Sequence, residues 1–91
     1  PHVAGRVCVV HNGIIENYVD LRERLQKEGC TFASETDTEI AAHLINSYLP
    51  RSKSLVDAVR SALKEIHGSY ALVVLSPDYP ESLVVARNQS P

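Results

Sequence analysis

The 91 residues predict an α+β chain in which helices are layered against a sheet, in the order β-α-β-α-α-β-β. Three observations carry this reading. Runs such as "VCVV" and "YALVVL" are short, rich in β-branched residues and apolar on both strand faces. The stretches between them repeat apolar residues at helical spacing, with charge on the opposite side. Gly29, Pro50 and Gly68 stand where those stretches should stop.

The first strand is "RVCVV", residues 6 to 10, and ends at the pair Asn12-Gly13, a strong turn signal. Helical spacing follows instead of a second strand. Asn17 is in place to cap that helix, Tyr18, Leu21 and Leu25 form its apolar stripe, and Gly29 closes it as the residue after the C-cap. "CTFAS" then reads as a second short strand. In "SETDTE", Thr36 and Glu39 have the Thr-x-x-Glu spacing of a capping box, so a helix of about three turns should begin near residue 37. Its face is Ile40, Leu44, Ile45 and Tyr48, and Pro50 ends it. A third helix has Ser54 as cap, Val56, Val59, Leu63 and Ile66 as stripe, and Gly68 as stop. "SYALVVLS" and "SLVVAR", joined by the turn "PDYPE", read as a hairpin.

Composition excludes several classes of function. Nine basic residues are scattered in a chain of net charge −2, so no electrostatic footprint of a nucleic-acid binder is present. The apolar runs are too short to span a bilayer, and no charged-then-apolar leader precedes them, which predicts a cytoplasmic protein. A chain of this length buries only roughly two thirds of its unfolded surface. With no methionine and no capped element beside either end, it reads as an excised piece of a larger protein. Cys8 and Cys30 lack the spacing of a metal site or a redox pair and read as reduced structural thiols.

The residues that could carry chemistry are few. Asn12 offers a side-chain amide and Gly13 an unshielded main-chain N–H at the end of a strand; two such donors aimed at one point form an oxyanion hole. An ordinary Asn-Gly turn accounts for the same pair. Asp37 lies in the first turn of the second helix. There it could hold a substrate ammonium by a charge-assisted hydrogen bond, or serve only the helix dipole. His43 and His67 lack an acidic or cysteine partner at ligand spacing, His2 lies near a chain end, and His11 is expected to pack locally; none is placed in the site. The chain contains no glycine-rich phosphate loop, nucleophile elbow or His-Glu-x-x-His, and no metal or cofactor is expected. Donors and an anion without a nucleophile suggest an incomplete site.

Taken together, "HNGIIENY" and "SETDTE" resemble the glutaminase domain of the glutamine–fructose-6-phosphate aminotransferase family, which is a class II glutamine amidotransferase family. "GSYALVVLS" and "LVVARNQSP" extend the resemblance over nearly the whole chain. It implies a partial N-terminal-nucleophile (Ntn) hydrolase α-β-β-α sandwich, with residues 1–91 as the middle to later part of the domain. It implies that Asn12 and Gly13 form the oxyanion hole and that Asp37 binds the α-amino group of L-glutamine. In the family an N-terminal cysteine attacks the carboxamide and releases ammonia through a thioester; a separate isomerase domain turns fructose 6-phosphate into glucosamine 6-phosphate. Neither that cysteine nor the arginine-containing loop that holds the glutamine carboxylate is among these residues, so the chain alone should be inactive and should fold poorly. The parent is expected to be a homo-oligomer. Two other readings stay open: another class II amidotransferase, such as one that aminates phosphoribosyl pyrophosphate, and a non-catalytic glutamine-binding module.

Overall fold

A computed structural model describes residues 2–88. It contains β1 (His2–Ala4), β2 (Val7–Ile15), α1 (Tyr18–Lys27), α2 (Asp37–Tyr48), a 3-10 turn (Leu49–Arg51), α3 (Leu55–Leu63), β3 (Gly68–Leu75) and β4 (Val84–Asn88). The strands form one antiparallel sheet in the order β1-β2-β3-β4. The extents, 32 × 32 × 21 Å, fit one sheet and one layer of helices at about 10 Å per layer. The α+β class is as expected, and the residues 89–91 of the closing motif lie outside the described ones.

Two differences from the expected order have physical causes. The strand expected at 30–34 does not form, because its main-chain groups are taken by other partners. Cys30 N–H closes α1 onto the Leu25 carbonyl, Ala33 and Ser34 N–H go to the Glu39 carboxylate, and the Ser34 carbonyl accepts from Arg22. No row of donors is left to pair with a neighbour. The compensating strand is β1, which turns through Gly5-Arg6 and pairs with β2.

The first strand is also longer than expected. Asn12 and Gly13 lie inside β2, paired with Ala71 and Tyr70 of β3, and the turn falls at Glu16-Asn17. Tertiary pairing overrides the local turn preference of Asn-Gly. Gly13 makes this pairing possible: its φ is +132°, and a Cβ there would stand 2.2 Å from the Ser69 carbonyl oxygen. Across the ladder, Gly68 is under a similar demand, with φ +136° and a Cβ position 2.1 Å from the Ile14 carbonyl oxygen. It opens β3 rather than stopping α3.

The helices cover one face of the sheet. Val7, Val9, Ile15, Leu72, Val74 and Val84 point toward them and are buried with Leu21, Leu25, Ile40, Leu44 and Ile45. The stripe of α3 is Leu55, Ala58, Val59 and Ala62, one position from the expected one; Val56 is 40% exposed. Ala58 and Ala62 on that side are fully buried. Ser54 Oγ accepts from Asp57 N–H at 3.1 Å, as expected of the cap. Gly29 and Cys30 donate to Gln26 and Leu25 in a complete Schellman motif. α2 ends before Pro50, which sits in the 3-10 turn that prolongs it.

The opposite face carries no helix among the described residues. The register aligns Val3, Cys8 and Leu75 in one row, Val10, Val73 and Val85 in the next, and Asn12, Ala71 and Arg87 in a third. Val3, Val10, Ile14, Leu75 and Val85 are all exposed.

Candidate functional site

Alternation along β2 fixes where each candidate points. His11 faces the helices, and its Nδ1 lies 3.3 Å from Thr38 Oγ1 in the first turn of α2. Asn12, one residue on, therefore faces the open side, where it and Gly13 line a cavity of about 440 Å³ with Ser69, Ala71, Arg87 and Asn88. Asp37 lines a second cavity, of about 400 Å³, with Tyr18, Arg22 and Glu35. The three candidates do not share one cavity among the described residues. They are joined through the backbone: Ile15 N–H donates to Asp37 Oδ2 at 2.9 Å. The anion is thereby held at the end of the strand that carries both donors.

The segment that delivers Asp37 is organised by Glu39, which is only 3% exposed. Thr36 occupies the N-cap in an extended conformation, yet its side chain makes no capping bond. Neither half of the expected capping box forms: Thr36 N–H donates to Ser34 Oγ, and Glu39 reaches past the N-cap to residues 33 and 34. Its Oε2 accepts from Ala33 N–H, and its Oε1 from Ser34 N–H and Ser34 Oγ–H, each at 2.7 Å. His43 Nε2 lies 3.2 Å from Oε2 and His2 Nε2 3.1 Å from Oε1. A carboxylate has no proton to give, so both imidazoles supply the hydrogen. Burial pushes this carboxyl upward and is the largest single influence on it. The hydrogen bonds from Ser34, Ala33 and His43 together outweigh it and hold the carboxyl at about 2.

His43 thus does have an acidic partner, at i,i+4, and His2 is tied into the fold. The spacing Glu39-x-x-x-His43 was present in the sequence as the signal for that pair. His11 has its buried Nε2 without a hydrogen-bond partner among the described residues, and burial lowers its pKa although Asp37 opposes the shift. Asn17 caps nothing with its side chain. Its Nδ2 donates to the Glu65 carbonyl at 2.8 Å, its Oδ1 accepts from His67 N–H at 2.9 Å, and Glu16 N–H donates to the His67 carbonyl at 2.7 Å. These bonds fasten the end of β2 to the turn before β3. Cys8 and Cys30 are both free. No group of three or more metal-binding side chains occurs among the described residues, and no helix there is long and apolar enough to cross a membrane.

The chain is similar to known proteins along nearly its whole length. The chain is 50% identical over all 91 residues to the isomerizing glutamine–fructose-6-phosphate aminotransferase of Acinetobacter baylyi. It is 48% identical over 87 residues to that of Thermococcus kodakarensis, and 47% identical over 91 to that of Escherichia coli K12. The matches take in 96% to 100% of this chain but only 14% to 15% of those relatives. Among solved structures, the glutamine phosphoribosylpyrophosphate amidotransferase of B. subtilis, complexed with ADP and GMP, matches 90% of this chain and 17% of its own. The TM-score is 0.73 and the identity 30%. The α+β layer therefore resembles part of an Ntn-hydrolase-like amidotransferase sandwich. The family described as "Glutamine amidotransferase domain" matches residues 1–90, and the chain belongs to that family.

Proposed function

We propose that residues 1–91 are the middle to later part of the glutaminase domain of a cytoplasmic glutamine–fructose-6-phosphate aminotransferase, and that they bind L-glutamine and stabilise the charge that forms on its carboxamide. The observation that carries this is the Ile15–Asp37 hydrogen bond, which sets an anion beside the strand end that presents Asn12 and Gly13. Asp37 Oδ1 is the oxygen left to receive the α-ammonium of glutamine. The glutamine carboxylate and the attacking thiol belong to groups outside these residues.

In this reading, the thiol of an N-terminal cysteine of the parent gives its proton to that cysteine's own free α-amino group, which becomes an ammonium, and the sulfur attacks the carboxamide carbon. The C=O electron pair moves to oxygen, where the Asn12 amide and the Gly13 N–H receive the developing negative charge. Collapse expels ammonia, the nitrogen taking a proton from the ammonium of the same cysteine, and leaves a γ-glutamyl thioester that water hydrolyses. The ammonia then passes to the isomerase domain and fructose 6-phosphate in a homo-oligomeric parent. The 91 residues alone carry no N-terminal thiol, so they are expected to release no ammonia.

The open apolar sheet face supports the same reading, since a second sheet packed there would complete the sandwich and bury Val10, Ile14 and Val85. The test is Asn12→Ala in the full-length protein. Loss of one oxyanion donor should lower the kcat for glutamine hydrolysis by about 10²- to 10³-fold; turnover within a few-fold of the parent enzyme would overturn the assignment.

A further inference from the structure

Glu39 takes no part in the chemistry described, yet it is buried and more fully hydrogen-bonded than Asp37. Its donors come from three places: His2 on β1, Ala33 and Ser34 in the irregular segment after α1, and His43 one turn along α2. That segment has no strand or helix ladder to define its path. Its other anchors are few. Arg22 Nη1 donates to the Ser34 carbonyl at 2.9 Å, and Phe32 packs between the Arg22 guanidinium, 4.6 Å from its ring centre, and the His43 ring, at 4.5 Å.

The bonds run on toward Asp37. Ser34 Oγ, which donates to Glu39, lies 3.0 Å from Thr36 Oγ1 and accepts from Thr36 N–H at 3.3 Å. Thr36 is the residue immediately before Asp37. A carboxylate two residues beyond Asp37 therefore fixes the backbone that enters it, while Ile15 N–H fixes its side chain.

We propose that Glu39 is a positioning residue for the recognition of the α-ammonium group of glutamine by Asp37. The inference rests on the reading of Asp37 given above. Because the carboxylate accepts from two adjacent main-chain N–H groups, a neutral amide cannot replace it. An amide has one acceptor oxygen, and its NH₂ would face a donor.

The test compares glutamine with its analogue lacking the α-amino group, 5-amino-5-oxopentanoic acid, in the full-length enzyme. Asp37→Asn should abolish the preference for glutamine. Glu39→Gln should raise the KM for glutamine about tenfold, with kcat within a few-fold, and should reduce the preference for glutamine over the analogue by a similar factor. A Glu39→Gln enzyme that melts earlier but keeps the full preference would overturn the inference and leave Asp37 untouched. Asp37→Asn keeping the preference would overturn the Asp37 reading and this inference with it. Should Glu39→Gln fail to fold, Ser34→Ala removes the hydroxyl link to Thr36 and leaves the carboxylate in place; a folded Ser34→Ala enzyme is expected to lose part of the preference, and its full retention would count against the proposal.

Discussion

Ile15, the last residue of β2, donates its main-chain N–H to Oδ2 of Asp37, the first residue of α2, at 2.9 Å. The contact spans 22 residues of sequence and ties a strand end to a helix start. An N–H at a strand end has no ladder partner beyond it, and a carboxylate in the first turn of a helix is favoured there by the dipole. Each group thus meets a need of the other. One carboxylate oxygen is used in this way, and the second is the one we propose to receive the α-ammonium of glutamine.

Gly13 should be intolerant of any side chain. Alanine at φ +132° is strained, and its Cβ would lie 2.2 Å from a main-chain oxygen of β3 that has no freedom to move without breaking the β2–β3 ladder. Gly13→Ala is expected to destabilise the domain by about 3 kcal/mol or more, measured as a lower midpoint in urea unfolding of the full-length protein. A midpoint unchanged within error would mean that the ladder yields at this position.

Much of this fold was legible because the signals were local. Ser54, Gly29 and the turn through Pro77 and Pro80 each act within a few residues of chain, and each does in the structure what its chemistry predicts. The failures concern groups whose partners are distant in sequence. Asn-Gly at 12–13 reads as a turn until β3 is beside it. "CTFAS" reads as a strand until the Glu39 carboxylate and Arg22 take its hydrogen bonds, and Thr36 reads as a cap until Ser34 takes its hydroxyl. Asn12, Gly13 and Asp37 were recognisable as residue types, and the resemblance gave them roles. Their separation into two cavities, and the service of Glu39, depend on contacts that only the folded chain brings together.

Asn17 gives a sharp contrast between a local and a long-range role. As a helix cap alone, it could be replaced by aspartate with almost no loss, since the two cap equally well. Here its Nδ2–H points at the Glu65 carbonyl while Oδ1 accepts from His67 N–H. Aspartate would keep the second bond and set an anionic oxygen against the carbonyl in place of the first. Asn17→Asp is therefore expected to cost about 1–3 kcal/mol, the range for a polar group left facing the wrong partner, read from urea midpoints at neutral pH. A cost under about 0.5 kcal/mol, the ordinary scatter of surface substitutions, would restore the simple cap.

Acid should weaken the domain through Glu39. Its carboxyl lies at about 2 in the folded chain against 4.5 when unperturbed, so as the pH falls the unfolded chain takes up the proton first. The stabilisation is fully present above about pH 4.5, shrinks between there and pH 2, and is gone below. Its full size is on the order of 3 kcal/mol, by the equivalence of about 1.4 kcal/mol per pH unit. Glu39→Gln has no proton to gain and should lose this part of the pH dependence. Its unfolding free energy, lower than that of the unsubstituted protein at pH 6, should approach it as the pH falls toward 3. Thermal unfolding at half-unit steps over that range checks it. Parallel curves for the two proteins would show that the Glu39 carboxylate, with His2, Ala33, Ser34 and His43 around it, does not govern acid stability.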